Sequence, residues 1–314
     1  MSESAVVQPV KKIIVRANIF QKIAENPVIL KELRGRMRGR RAFIFLTIYL
    51  IVVSLFIGSI YAVLAAQSSI TQWDPSFRQT MGKVIFSSVV LFEFVMIAFI
   101  GPALTAGAIT AERERQTYDL LRTTLLSAPA LIFGKLGAAC MYLFLLVLTA
   151  LPIEALAFLL GGVGLEEIMV SSLMLIVNIV FFCALGIFCS SFSKRTLTAT
   201  VTSYSLILLS LLVLGLAYFI LVYMFAAAYS GGSYNSVMQD FISMILWLLT
   251  STNSFAAAIT SEVMLITNQT LFFGKAPSGN ISIISPWILH VGLYSVLTAI
   301  MVLMSVLFVK RPDR

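Results

Sequence analysis

The densest chemistry in this sequence lies between Glu112 and Arg122. There Glu112, Arg113, Glu114, Arg115, Asp119 and Arg122 set three acids and three bases within eleven positions. Glu112 and Arg115, like Asp119 and Arg122, are three residues apart, the spacing at which side chains meet along a helix. Thr110 is placed to cap that helix, and Glu112 and Glu114 fall in its first turns, where the helix dipole favours acids. Leu120, Leu121, Leu125 and Leu126 add an apolar edge. A segment bound to anionic lipid would be net basic, and this one is balanced. It reads as a short helix, about 110–124, shaped for a groove on another protein; the plainer alternative is a solvated connector whose charges keep it out of a membrane.

A second group of ionisable residues lies inside apolar runs: Glu93 in LFEFVMIAFIGP and Glu154 in ALPIEALAF. A charge at the centre of a spanning helix costs about 2.5–3.5 kcal/mol on insertion scales, so both must face protein or water. No Lys or Arg lies within these runs to pair with them. They stand either on a translocation path or as neutral acids making intramembrane polar contacts, with Asn178 and His290 as hydrogen-bonding partners. His290 is the single histidine, which reads as a packed residue rather than a ligand. Catalysis is excluded on residue types: there is no H-E-x-x-H and no G-x-S-x-G. Gly82-Lys83, Gly134-Lys135 and Gly274-Lys275 lack the upstream glycine and following hydroxyl of a phosphate-cradling loop.

The elements that position these residues follow from composition. The chain is 59% hydrophobic and 11% charged, with a mean hydropathy of +0.97, far from the quarter or so charged residues of a soluble domain. Six apolar runs, about 42–66, 84–108, 136–160, 168–190, 197–223 and 286–309, are long enough to cross a bilayer as helices. The fold class is therefore an all-α integral membrane protein with one six-span transmembrane domain over 42–309. Cys140, Cys183 and Cys189 fall in or beside these runs and read as small apolar fillers. With both ends cytoplasmic, 19 of the 22 Lys and Arg residues lie inside, and only Arg78, Lys83 and Lys275 face out. The positive-inside rule then fixes a multi-pass plasma (inner) membrane protein with cytoplasmic termini. The net charge of +8 is an orientation signal with anionic lipid as its contact, and nucleic acid is not a partner. No cleavable signal peptide is expected, so the first span does the targeting.

Residues 1–41 divide into a basic arm and NPVILKELRGRMRGRRAF, in which Asn26 can cap a helix with Pro27 in its first turn. Val28, Ile29, Leu33 and Met37 recur at helical spacing, while Lys31, Arg34, Arg36, Arg38, Arg40 and Arg41 supply the basic faces. This predicts an amphipathic helix in the inner interface. Between spans five and six, about 228–283, MQDFISMILWLL (238–249) and SFAAAITSEVMLI (254–266) predict short outer helices, too short to span and therefore re-entrant or interfacial. Residues 310–314 form a cytoplasmic tail.

ITAERERQTYDLLRTTLLSAPALIFGKL resembles the cytoplasmic coupling region of permeases of the type-2 ATP-binding-cassette (ABC) exporter family. The likeness rests on Glu112, Glu114, Thr117, Leu120, Leu121, Ser127, Pro129, Gly134 and Lys135, and Gln116 stands where the family usually has glycine. NPVILKELRGRMRGRR is similar to that family's interfacial helix. The resemblance implies an ATP-driven exporter whose separate ABC ATPase subunit docks on Glu112, Arg113, Glu114, Arg115, Thr117, Asp119, Leu120, Leu121 and Arg122. It implies that ATP and Mg are bound by that partner, with no cofactor in this chain. It further implies a second permease copy or paralogue, as a homo- or heterodimer. The competing reading is a non-transporting scaffold or sensor coupled to an ATPase.

Overall fold

A backbone crossing hydrocarbon must satisfy its own hydrogen bonds, and for a long apolar run the helix does so within one segment. In the computed structural model, which describes residues 27–37, 40–67, 75–117, 127–230, 236–268, 271–275 and 282–310, all six runs are helical. They form α2 (Arg40–Gln67), α3 (Pro75–Thr105), α5 (Ala128–Leu159), α6 (Leu165–Phe192), α7 (Thr196–Ser230) and α10 (Pro286–Lys310). A helix α1 (Pro27–Met37) precedes them, and a five-residue helix α4 (Thr110–Glu114) follows α3. The expected cap at Asn26, Arg38, Asp119, Leu120, Leu121, Arg122 and the tail from Arg311 lie outside the described residues, as do the side chains of Arg36 and Arg41.

The outer segment holds the two predicted helices, α8 (Ser236–Thr252) and α9 (Ser254–Asn268), bent by 113° at Asn253. A two-stranded ribbon follows, β1 (Phe273–Lys275) antiparallel to β2 (Ser282–Ile284), in which Gly274 faces Ile283. Sequence reading gave no strand here. The ribbon is tied down by aromatic donors: Trp247 Nε1 donates to Ile284 O (2.7 Å) and Trp287 Nε1 to Leu271 O (2.9 Å).

The elbow between α8 and α9 leaves backbone carbonyls without helical partners, which α10 supplies, while α6 holds the Ser254 hydroxyl. Asn178 Nδ2 donates to Met174 O (2.8 Å) and meets His290 Nε2 at 3.1 Å, while its Oδ1 accepts from Ser254 Oγ at 2.7 Å. An Asn N–H donating to Nε2 leaves the imidazole proton on Nδ1, which then donates to Ser251 O at 3.1 Å. Tyr294 Oη donates to Thr252 O (3.2 Å), and Asn253 Oδ1 accepts from the amides of Phe255 and Ala256. Asn178 and His290, both fully buried, thus bond to each other and to the elbow rather than to the intramembrane glutamates.

Packing is centred on α6, which lies along α3 and α10. Three glycines make contacts that depend on having no side chain, Gly162 against the Gln79 carbonyl among them. At Gly82 a Cβ would run into the carbonyl oxygens of Gly161 and Ala157, and at Gly186 into the Thr105 side chain, with Pro102 Cα at 3.1 Å. By contrast α2 and α7 are the outermost spans, with 11% and 6% of their apolar windows buried against 50% for α3 and α6. Backbone carbonyls cannot rotate away, so Gly82→Ala should destabilise the bundle by about 1–3 kcal/mol, the usual cost of overpacking. Gly58→Ala, at a site with open space around it, should not. Thermal unfolding of the two variants in detergent compares them directly; equal midpoints would show that α3 and α5 do not approach this closely.

Candidate functional site

The charged residues gather at one end of the bundle, where α1, α4, the start of α5 and the α6–α7 turn meet. The span running Phe77–Glu114 has 38 residues; at a rise of about 1.5 Å per residue it measures roughly 57 Å, nearly twice the hydrocarbon thickness of about 30 Å. A stretch of that length exceeds the apolar layer, so part of it stands outside.

The chain leaves α3 after Pro102 through turns at 106–109 and re-enters a helix at Thr110. Thr110 lies inside that helix and does not cap it. The capping position is Ile109, whose side chain offers no acceptor; Ser190 Oγ, reaching over from α6, accepts from the amides of Ile109 (2.9 Å) and Thr110 (3.1 Å). A hydroxyl eighty residues away does the work expected of a local threonine.

Each of the next three charged side chains turns back onto the chain itself. Glu112 Oε1 receives Lys135 Nζ at 3.4 Å, and its Oε2 accepts from Thr117 Oγ1 at 2.5 Å. Lys135, in the first turns of α5 and only 7% exposed at its side chain, also donates to Glu32 on α1 at 3.2 Å. Arg113 Nη1 donates to Ser193 O (2.8 Å) in the α6–α7 turn. Glu114 accepts twice from Thr196 at the start of α7, from its amide at 2.7 Å and its hydroxyl at 2.9 Å. The i, i+3 pairing of Glu112 with Arg115 gives way to Lys135, because a nearly buried ammonium gains more from a carboxylate than an exposed guanidinium does.

Arg115 and Gln116 are the charged and polar side chains left facing outward. Gln116 has φ 58°, and Thr117 N donates back to Glu112 O at 3.0 Å. That left-handed backbone, which costs a side chain about 1 kcal/mol or more, is the place where glycine fits freely. On the far side of 118–126, Ser127 starts α5: its Oγ accepts from Ala130 N, with Pro129 in the first turn. Ser127 and Pro129 thus start α5, while Lys135 reaches to α1 and α4.

Among the basic residues of α1, Lys31 and Arg34 are exposed, and Arg40 at the start of α2 is too, while Val28 and Ile29 are buried, with α1 packed against α5. Among the described residues, no three His, Cys, Asp or Glu side chains come together as a metal site. Sequence reading did not find Ser190, Ser193, Thr196 or Glu32. The hydroxyl-rich CSSFSKRT (189–196) at a span end was the available signal.

The site is thus a small charged element wired by side chains to α1, α5, α6 and α7, an arrangement suited to passing a displacement into several spans at once. The family model described as ABC-2 family transporter protein matches residues 27–313, which takes in every described element. No curated protein sequence matches the chain. On that match, from the first turn of α1 to beyond the end of α10, the chain belongs to the ABC-2 transporter family and is a membrane permease component of an ABC transporter.

Proposed function

We propose that the chain is the permease half of an ATP-driven exporter in the plasma membrane, with both termini and the α1–α4 end in the cytoplasm. A separate ABC ATPase subunit, which binds ATP and Mg, seats on the segment that begins at α4. The orientation rests on the distribution of Lys and Arg. The observation that carries the mechanism is the wiring of α4 to Lys135, Ser190, Ser193 and Thr196.

Within this reading, holding and docking fall to different residues. Glu112, Arg113 and Glu114 are engaged with this chain's own helices, so their role is to hold the coupling element. Docking falls to the outward Arg115 and Gln116 and to Asp119, Leu120, Leu121 and Arg122, the part of the motif that resembles the family's docking helix. ATP-driven closure of the ATPase pair pushes this element. The push enters α5 through Lys135 and α6–α7 through Ser190, Ser193 and Thr196. A second copy or a paralogue completes the translocation path, and the largely uncovered α7 offers it a seat. Two copies are needed because one set of six spans is half of what such exporters use.

Two sets of variants separate holding from docking. Lys135→Met leaves two carboxylates facing each other without their cation, a loss of about 3–5 kcal/mol when such a pair is fully buried and less here, where the acids are 27% exposed. It should keep the ATPase bound while lowering its activation by substrate and the rate of ATP-dependent efflux from vesicles at least several-fold. Lys135→Arg should restore part of both. Arg115→Glu combined with Asp119→Arg should instead abolish co-purification of the ATPase without affecting insertion. If the double variant retains the ATPase in full, docking lies elsewhere. If the intact complex hydrolyses ATP but reconstituted vesicles export nothing, the protein is a scaffold or sensor.

A further inference from the structure

The coupling machinery leaves one buried polar group unused. Glu93 on α3 and Glu154 on α5 are 0% and 5% exposed, and their carboxyls lie within hydrogen-bonding reach of each other. Tyr49 on α2, itself buried, donates to Glu93 Oε1 at 3.5 Å. Three successive spans therefore converge on one polar point, set among Val53, Val89, Val90, Phe94, Ile97 and Ala150 of the apolar core.

The depth follows from helix rise. Glu93 is eleven residues from Gly82, and Glu154 seven from Gly161, where α3 and α5 touch at the end of the bundle away from α4. That places the pair roughly 10–16 Å below that contact, well inside the hydrocarbon layer.

Glu93 Oε2 and Glu154 Oε1 are buried and receive no hydrogen bond. No cation meets them: Lys135 is the buried basic residue among the described residues, and it is held by Glu32 and Glu112 at the charged end. The titratable group facing the pair from α2 is Tyr49, and from α3 and α5 the glutamates themselves. No other described charged or titratable side chain, from α6, α7 or α9, acts on them. Two carboxylates in contact in an apolar seam cannot both be ionised. A proton between them supplies the missing donor: one carboxyl donates its O–H and the other accepts.

We propose that Glu93 and Glu154 form an intramembrane proton-binding site, in which a proton held between the two carboxyls joins α3 to α5 as a basic side chain would elsewhere. The acid on α3 and the acid on α5 are separable only by giving that proton up or by admitting water. Any opening of this seam during transport therefore exchanges the proton with solvent. That last step rests on the permease reading above; the site itself does not.

The experiment is infrared difference spectroscopy of the full-length protein in lipid nanodiscs at neutral pH. The expected result is the carbonyl band of a protonated carboxylic acid, shifted in heavy water, lost in Glu93→Gln and in Glu154→Gln, and moved in frequency in Tyr49→Phe, which removes only one donor. A wild-type spectrum without the band, or a band that persists in both glutamine variants, would overturn the site. If a glutamine variant does not fold, an unmoved band in Tyr49→Phe does the same. With the ATPase subunit present, ATP hydrolysis should speed deuterium exchange of the band several-fold. Unchanged exchange alongside measurable efflux would detach the site from the transport cycle and leave the permease assignment standing.

Discussion

Within a bilayer a polar group cannot turn to water, so each must find its partner inside the protein, and this constraint shapes the molecule at three places. At the elbow, the break at Asn253 survives because His290 and Tyr294 of α10 take up the carbonyls of Ser251 and Thr252, while Asn178 of α6 holds the Ser254 hydroxyl. At the charged end, the turn between α3 and α4 survives because Ser190 accepts the amides of Ile109 and Thr110. Near the level of the elbow, where Phe94 meets Phe255, Glu93 and Glu154 answer each other. In each case the partner sits on a different helix, so satisfying a local defect also fixes how two helices pack. Polar residues in the spans thus act as registry marks in an otherwise apolar bundle, whose leucines and valines would tolerate many sliding arrangements.

The same reasoning explains why the coupling element is charge-balanced. Three of its charged side chains are matched by groups of the chain itself: Glu112 by Lys135, which also holds Glu32, Glu114 by Thr196, and Arg113 by the Ser193 carbonyl. A net basic segment would sink toward anionic lipid, and a net acidic one would be pushed from it. A neutral, internally paired one stays where its helices hold it. Ionic contacts also suit a joint better than apolar packing would, since they have direction and fail abruptly when a partner moves. Gln116 in a left-handed turn sets the point at which the chain departs from this anchored root.

Much of this was legible in the residues. The six spans, the helix α1 and the two short helices before α10 follow from apolar run length, helical period and capping chemistry, which are local properties. Asn178 and His290 were identified as hydrogen-bonding residues but were matched to the glutamates; their true partner, the elbow, is a tertiary feature with no local signature. Thr110 was given a capping role that belongs to Ser190 for the same reason, since helix packing brought a better acceptor to the site than sequence neighbours could offer. The contacts of Glu112, Arg113 and Glu114 with Lys135, Ser193 and Thr196 had no sequence signal, because spacing shows which side chains share a helix side and not what packs against it. The ribbon at Phe273–Lys275 and Ser282–Ile284 has strands of three residues, too short to carry a period.

What remains is how the elbow, halfway along the bundle, and the charged end come to act together. α6 is the element they share. It presents Asn178 to the elbow and, twelve residues on, Ser190 to α4, about 18 Å apart along a single helix at the usual rise. Between them Gly186 brings it against Thr105 of α3 with no side chain to cushion the contact. A helix packed this closely cannot absorb a displacement by local adjustment, because interiors at crystal-like density transmit strain rather than dissipate it. Movement of α4 must therefore either break the Ser190 cap or carry α6 with it. If α6 moves, Asn178 carries Ser254 and His290, and the elbow at Asn253 shifts with them. The two short helices that meet there at 113° would follow α6, with the polar contacts at Asn253 as the hinge.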